Sequence, residues 1–140
     1  MAARVILSIE DSDTEFYLVE IAVKKANVPI RLYRASDGEQ GLAFLLKAGP
    51  YHEAPRPDLI LLNLNLPRKN GFEVLADLQA IESLRSIPVV VFTSSSYSME
   101  KDKALALGAQ DYVTKPSTLD GLIDVVSRIC SRISSSSQGA

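Results

Sequence analysis

Two stretches, LILL at 59–62 and VVVF at 89–92, are apolar at every position, and each is short and opens behind polar or proline residues. A strand with one face in water alternates, so an unbroken apolar run of this length belongs to a strand covered on both faces. Three more short β-rich runs accompany them: RVILSI (4–9), IRLYRA (30–35) and DYVT (111–114). With their lead-in residues, DLILL (58–62) and PVVVF (88–92) complete a set of five. IRLYRA alternates and suits an edge.

The intervening segments carry helical period. Phe16, Val19, Val23 and Ala26 fall on one helix face. A second helix is expected near Asp37, with Leu42, Leu45 and Leu46 inward and a stop near Gly49 and Pro50. Asn70 and Glu73 predict a reciprocally capped third helix, followed by Val74, Leu75, Leu78 and Ile81. A fourth spans Ser98 to Leu107, with Gly108 as its left-handed stop. The last pairs Ser117 with Asp120 as caps and aligns Leu119, Leu122, Ile123, Val126, Ile129, Cys130 and Ile133. The sequence thus predicts one domain over 1–133 and a flexible serine-rich tail, SSSSQGA, over 134–140.

Strand alternating with helix five times implies parallel pairing, because parallel neighbours need crossovers and helices supply them. The expected architecture is α/β and doubly wound: a five-stranded parallel sheet in the order 2-1-3-4-5, flanked by five helices, the flavodoxin-like arrangement. Its ligand crevice lies at the carboxyl ends of the first and third strands. A chain of 140 residues, 46% of them hydrophobic, can bury a core without disulfide or structural metal, and the single cysteine reads as an inert core thiol. Fifteen basic against seventeen acidic residues, with no basic block, disfavour direct nucleic-acid binding. No apolar stretch reaches membrane-spanning length and no signal peptide is visible, so no membrane association and a cytoplasmic location are expected.

The strand ends collect a distinctive set. The first strand delivers Glu10 and Asp11, the third Asn63, the fourth Thr93 and Ser94, and the fifth Lys115 followed by Pro116. Adjacent carboxylates repel, so a pair kept at a partly buried strand end implies a compensating cation. Magnesium fits, since it takes hard oxygen ligands and keeps waters that a phosphate oxygen can replace. A lysine and a hydroxyl across the crevice could hold other phosphoryl oxygens. Each member has an ordinary reading alone: Ser12 or Asp13 as a helix cap, Thr93 as a strand-end hydroxyl bonded to backbone, Lys115 as a surface lysine. Their coincidence at one sheet edge favours a phosphoryl pocket.

SIEDSD, NLNLPRKNG, VVVFTSS and LGAQDYVTKP together resemble a response regulator receiver domain over residues 4–133. The resemblance implies a place in a two-component phosphorelay, a sensor histidine kinase as partner, and no enzymatic activity as such. It implies magnesium held by Glu10, Asp11 and the carbonyl of Asn65, beside Asn63. Thr93 and Lys115 match the hydroxyl and lysine that receive the phosphoryl group, with Ser94 alongside, and Tyr112 matches the aromatic whose rotamer responds when the hydroxyl moves. PRPDLILL, NLPRKNG, EDSD and the lengthened KAGPYHEAPRP resemble most the stand-alone regulators paired with phytochrome-type histidine kinases; His52 in that loop reads as a surface residue. With no effector domain expected after the last helix, output would pass through protein contact. The face of the fourth helix, fifth strand and fifth helix is the expected surface, and also a homodimer interface in the family.

Asn63 departs from the pattern. The family places an aspartate there, the group that attacks a phosphohistidine. A carboxylate can form an acyl phosphate, whereas an amide is neutral and poorly nucleophilic. Magnesium is expected to bind more weakly for want of one negative charge, and Lys115 to engage Asp11 or Asn63. The asparagine fits an engineered unphosphorylatable form, a pseudo-receiver that signals by binding alone, or a regulator whose phosphoryl chemistry is lost. A magnesium-dependent phosphatase of the haloacid dehalogenase kind would use Asp11, Ser12 and Asp13 as acid, spacer, acid, but leaves Glu10 superfluous. A flavin or nucleotide binder lacks a glycine-rich phosphate loop here.

Overall fold

A computed structural model describes residues 3–94 and 97–136. The strands are β1 (Arg4–Ile9), β2 (Ile30–Ala35), β3 (Leu59–Leu62), β4 (Val89–Thr93) and β5 (Asp111–Thr114). The helices are α1 (Asp13–Ala26), α2 (Gly38–Leu46), α3 (Gly71–Ala80), α4 (Ser98–Ala106) and α5 (Leu119–Ser136), with a 3-10 turn at Gly49–Tyr51. All pairing is parallel, in the order β2-β1-β3-β4-β5, as the alternation of elements required. The alternating strand β2 is an edge, and the unbroken apolar strands β3 and β4 are interior.

Sheet alternation splits the core in two. Leu7, Ile9, Ile60, Leu62, Val89 and Val91 face α2, α3 and α4, while Ile6, Leu59, Leu61, Val90 and Phe92 face α1 and α5. Both sides of β3 are fully covered, so neither face could carry a polar residue before the strand ends. Each buried leucine or isoleucine here contributes about 1.5–3 kcal/mol by leaving water. Cys130, on the buried stripe of α5, has its thiol pushed up to about 11 by burial, which keeps it protonated and unreactive.

Several helix details differ from expectation. Leu46 points outward at 50% exposure and Phe44 fills the inward position instead, because α2 begins at Gly38 and stops at Lys47, in the left-handed region with φ 55°. Asp37 caps α2 through the Gln40 amide at 2.8 Å. Asn70 and Glu73 form the expected reciprocal cap of α3, at 3.0 Å each way. Gly108, at φ 103°, supplies the left-handed turn after α4. In α5 the cap is Thr118, whose Oγ1 accepts from Gly121 N at 3.0 Å, so Ser117 lies outside the helix and Leu119 is 46% exposed. Thr118→Ala is therefore expected to lower stability by about 1 kcal/mol and Ser117→Ala by no more than about 0.5 kcal/mol, measurable by urea unfolding. Helix α5 runs three residues into the serine run, to Ser136, and residues 137–140 of the expected tail lie outside the described residues. Among the described residues no helix is long and apolar enough to cross a membrane.

Candidate functional site

The ladder that builds the sheet also fixes the site. Glu10 N donates to Ala35 O at 2.9 Å, Asn63 N to Ile9 O at 3.1 Å, and Lys115 N to Thr93 O at 2.7 Å. Each residue just past a strand end is thus held by the neighbouring strand, and the backbones of Glu10, Asn63, Thr93 and Lys115 are set side by side. Helix α3 closes one side: a Cβ on Gly71 would stand 2.7 Å from both Asn63 O and Leu64 Cα. Only glycine lets that helix start so near the strand.

Glu10 is the buried centre, 4% exposed. Its Oε1 accepts from Lys115 Nζ at 2.7 Å, with side-chain exposures of 5% and 8%. Its Oε2 accepts from Ser12 N at 3.1 Å and from Asn63 Nδ2 at 3.2 Å. Lys115 also lies 3.9 Å from Glu15 Oε1, and its ammonium sits 5.7 Å from the Phe92 ring centroid. The lysine's partner is therefore Glu10, not the expected Asp11 or Asn63. Glu10 is the buried acid, and an unpaired buried charge costs more than an exposed one.

Asn63 Nδ2 points at three oxygens: Glu10 Oε2 at 3.2 Å, Asp11 Oδ1 at 3.3 Å and the Asn65 carbonyl at 3.5 Å. Two carboxylates and a carbonyl converging on one point are the hard-oxygen set that magnesium or manganese takes. The donor chemistry therefore fits a small divalent cation, with the amide directed at the same point. Ser12 Oγ caps α1 by accepting from Glu15 N at 3.2 Å, so the serine of the acid, spacer, acid pattern is committed to the helix start. Asp13 pairs with Arg34 at 2.6 Å. This geometry removes the second acid that the phosphatase reading needed.

Thr93 is fully buried and Tyr112 is 8% exposed. Tyr112 pairs in register with Val91, two residues before Thr93, so tyrosine and threonine share one face of the sheet. Ser94 is exposed, at the start of the loop to α4. His52 is exposed, as expected. Three residues near the site went unremarked in the sequence: Arg34, Glu15 and Phe92. Arg34 was legible only as a charge in an alternating edge strand; nothing local told which loop its guanidinium would meet.

Comparison with known proteins agrees with this fold. Residues 6–127 match the family described as response regulator receiver domain. The chain is 40% identical over 126 residues to the response regulator Rcp1 of Synechocystis sp., covering 90% of this chain and 86% of that protein. Its fold is similar to that of the phosphorylated cyanobacterial phytochrome response regulator RcpA, with a TM-score of 0.86, 37% identity and 91% of each chain covered. The Mn(2+)-bound form of Rcp1 gives a TM-score of 0.83 at 40% identity, covering 90% of this chain and 91% of that one. The bacteriophytochrome response regulator AtBRR gives 0.77 at 32% identity, over 90% of this chain and 91% of that one.

Proposed function

Because this chain belongs to the response regulator receiver domain family, we propose that it is the receiver partner of a phytochrome-type sensor histidine kinase in which Asn63 has replaced phosphoryl transfer by docking. The observation that carries this reading is the Asn63 amide, whose nitrogen faces Glu10, Asp11 and the Asn65 carbonyl from the position where the family places its attacking carboxylate. The likeness to the cyanobacterial phytochrome response regulator RcpA and to the bacteriophytochrome response regulator AtBRR supports the choice of kinase class.

The pocket retains its other parts. Glu10, Asp11 and the Asn65 carbonyl would hold magnesium, joined by Asn63 once its amide turns to present Oδ1 in place of the Nδ2 that now faces them, and a donor set of two acids instead of three carboxylates makes that binding weak. Bound there, the cation supplies positive charge against the oxygens of a phosphoryl group. Lys115, Thr93 and Ser94 lie at the same strand ends. Nucleophilic attack needs a lone pair on an anionic oxygen at residue 63. An amide spreads its nitrogen lone pair into the carbonyl and offers none. Thr93 and Tyr112 would still form the switch pair, set by partner contact and not by acyl phosphate. The output surface would be α4, β5 and α5, where Met99 (82% exposed) and Leu105 (40% exposed) offer apolar contact to a partner or a second copy.

Incubation with acetyl phosphate and magnesium, followed by intact-mass measurement, is expected to leave this chain unmodified. A pull-down on a phytochrome-type histidine kinase is expected to capture it equally with and without acetyl phosphate. A phosphoryl adduct on this chain, or capture that depends on the phosphodonor, would refute the reading.

A further inference from the structure

Glu10 and Asp11 sit in the short loop between the end of β1 and Asp13, the first residue of α1. The ladder reaches Glu10 and ends there, so other groups must hold Asp11 at a set spacing from it. The Glu10 amide is fixed by Ala35 O at 2.9 Å, the last residue of β2. The Glu10 carbonyl takes Arg34 Nε at 3.0 Å. Both backbone groups of Glu10 are thus held by the last two residues of β2. The same guanidinium reaches on to Asp13 Oδ1 at 2.6 Å, across Asp11 and Ser12. Its Cζ lies 5.3 Å from the Phe16 ring centroid, in the first turn of α1. One guanidinium therefore grips the loop before and after Asp11, with the Phe16 ring near its Cζ.

We propose that Arg34 is a positioning residue that sets the loop carrying Glu10 and Asp11, and through it the spacing of the oxygens offered to a divalent cation. This rests on the reading of those acids as cation ligands. Asp13 is 93% exposed, so its ion pair with Arg34 contributes little to stability. Arg34 itself is only 23% exposed, and its bond to the Glu10 carbonyl is the part that bears on geometry. A lysine would keep the charge but lacks the several fixed N–H donors with which Arg34 reaches a carbonyl and a carboxylate at once.

The test uses Mn(2+) as probe, followed by the loss of its free EPR signal, on this chain and on the Asn63→Asp form. Arg34→Lys and Arg34→Ala are each expected to weaken Mn(2+) by about tenfold in the Asn63→Asp form, as loss of groups that orient metal ligands does. Asp13→Asn, which leaves the carbonyl bond in place, should weaken it by about threefold or less on the same scale. Hydrogen exchange in chelator reads the positioning without metal: the amides of Asp11 and Ser12 should exchange faster in Arg34→Lys, with core strands unchanged. Mn(2+) affinity within about twofold of parent in both Arg34 variants, or unaltered exchange at Asp11 and Ser12, overturns the proposal. If the Asn63→Asp parent takes up no Mn(2+), the cation reading of the acids falls, and the role of Arg34 is decided by hydrogen exchange alone. Unchanged core-strand protection separates either result from general unfolding.

Discussion

Asn63→Asp is expected to convert a chain that accepts no phosphoryl group into one that accepts a single group from acetyl phosphate. The aspartate oxygen attacks phosphorus, the bond from phosphorus to the acetyl oxygen breaks, and acetate leaves. The fold should accommodate the change, because the two side chains are nearly isosteric and the Asn63 backbone is pinned to Ile9 O at 3.1 Å. The electrostatic cost is local. Asn63 Nδ2 now donates towards Glu10 at 3.2 Å and Asp11 at 3.3 Å. An aspartate oxygen there turns two attractive contacts into repulsive ones and sets three acids beside Lys115. A pair of unit charges about 4 Å apart at an effective dielectric of about 20 interacts by roughly 4 kcal/mol. Relaxation of exposed Asp11 relieves part of this. The variant should therefore be less stable than the parent by about 2 kcal/mol in chelator, lowering Tm by roughly 6 °C. Magnesium should restore that stability in the aspartate form and do far less for the asparagine form, because a ligand stabilises in proportion to its occupancy of the folded state. Intact mass and thermal unfolding with and without magnesium check both parts. An aspartate variant as stable in chelator as the parent, or one that stays unphosphorylated, would show that the strand ends do not form the pocket described.

Lys115→Met is expected to destabilise the protein by about 3 kcal/mol, because it leaves the buried Glu10 carboxyl group without its cation. The side chains of this pair are 5% and 8% exposed, so solvent does not make good the loss. Hydrogen bonds from Ser12 N and Asn63 Nδ2 to Oε2 remain and keep the effect near the lower part of the range for broken buried pairs. Methionine keeps an unbranched aliphatic side chain of similar length, so the loss reports charge more than packing. Glu10→Gln with Lys115→Met should recover most of the stability, giving a coupling of about 2 kcal/mol in a double-mutant cycle by urea unfolding. Additivity of the two single changes would mean that the pair is incidental.

The fold was legible because its signal is collective. Unbroken apolar runs at LILL and VVVF meant strands covered on both faces, and alternation at IRLYRA meant an edge; both placements are as observed. The failures were local and concerned phase. Leu46 and Leu119 share the apolar character of their neighbours, but the helix starts at Gly38 and Leu119 turn them outward. Thr118 and Ser117 are chemically equal as caps, and one residue of register chose between them.

The sequence by itself determined the order of strands and helices, the row of residues at the strand ends, and the chemical identity of Asn63. Those follow from local periodicity and from what an amide can and cannot do. Tertiary structure alone decided that Lys115 pairs with Glu10, that the Asn63 amide faces three oxygens, and that Arg34 grips the loop between β1 and α1. Such pairings join residues far apart in the chain, and which of several charges a lysine or arginine meets depends on burial and on the direction of each strand end. No local pattern encodes that choice.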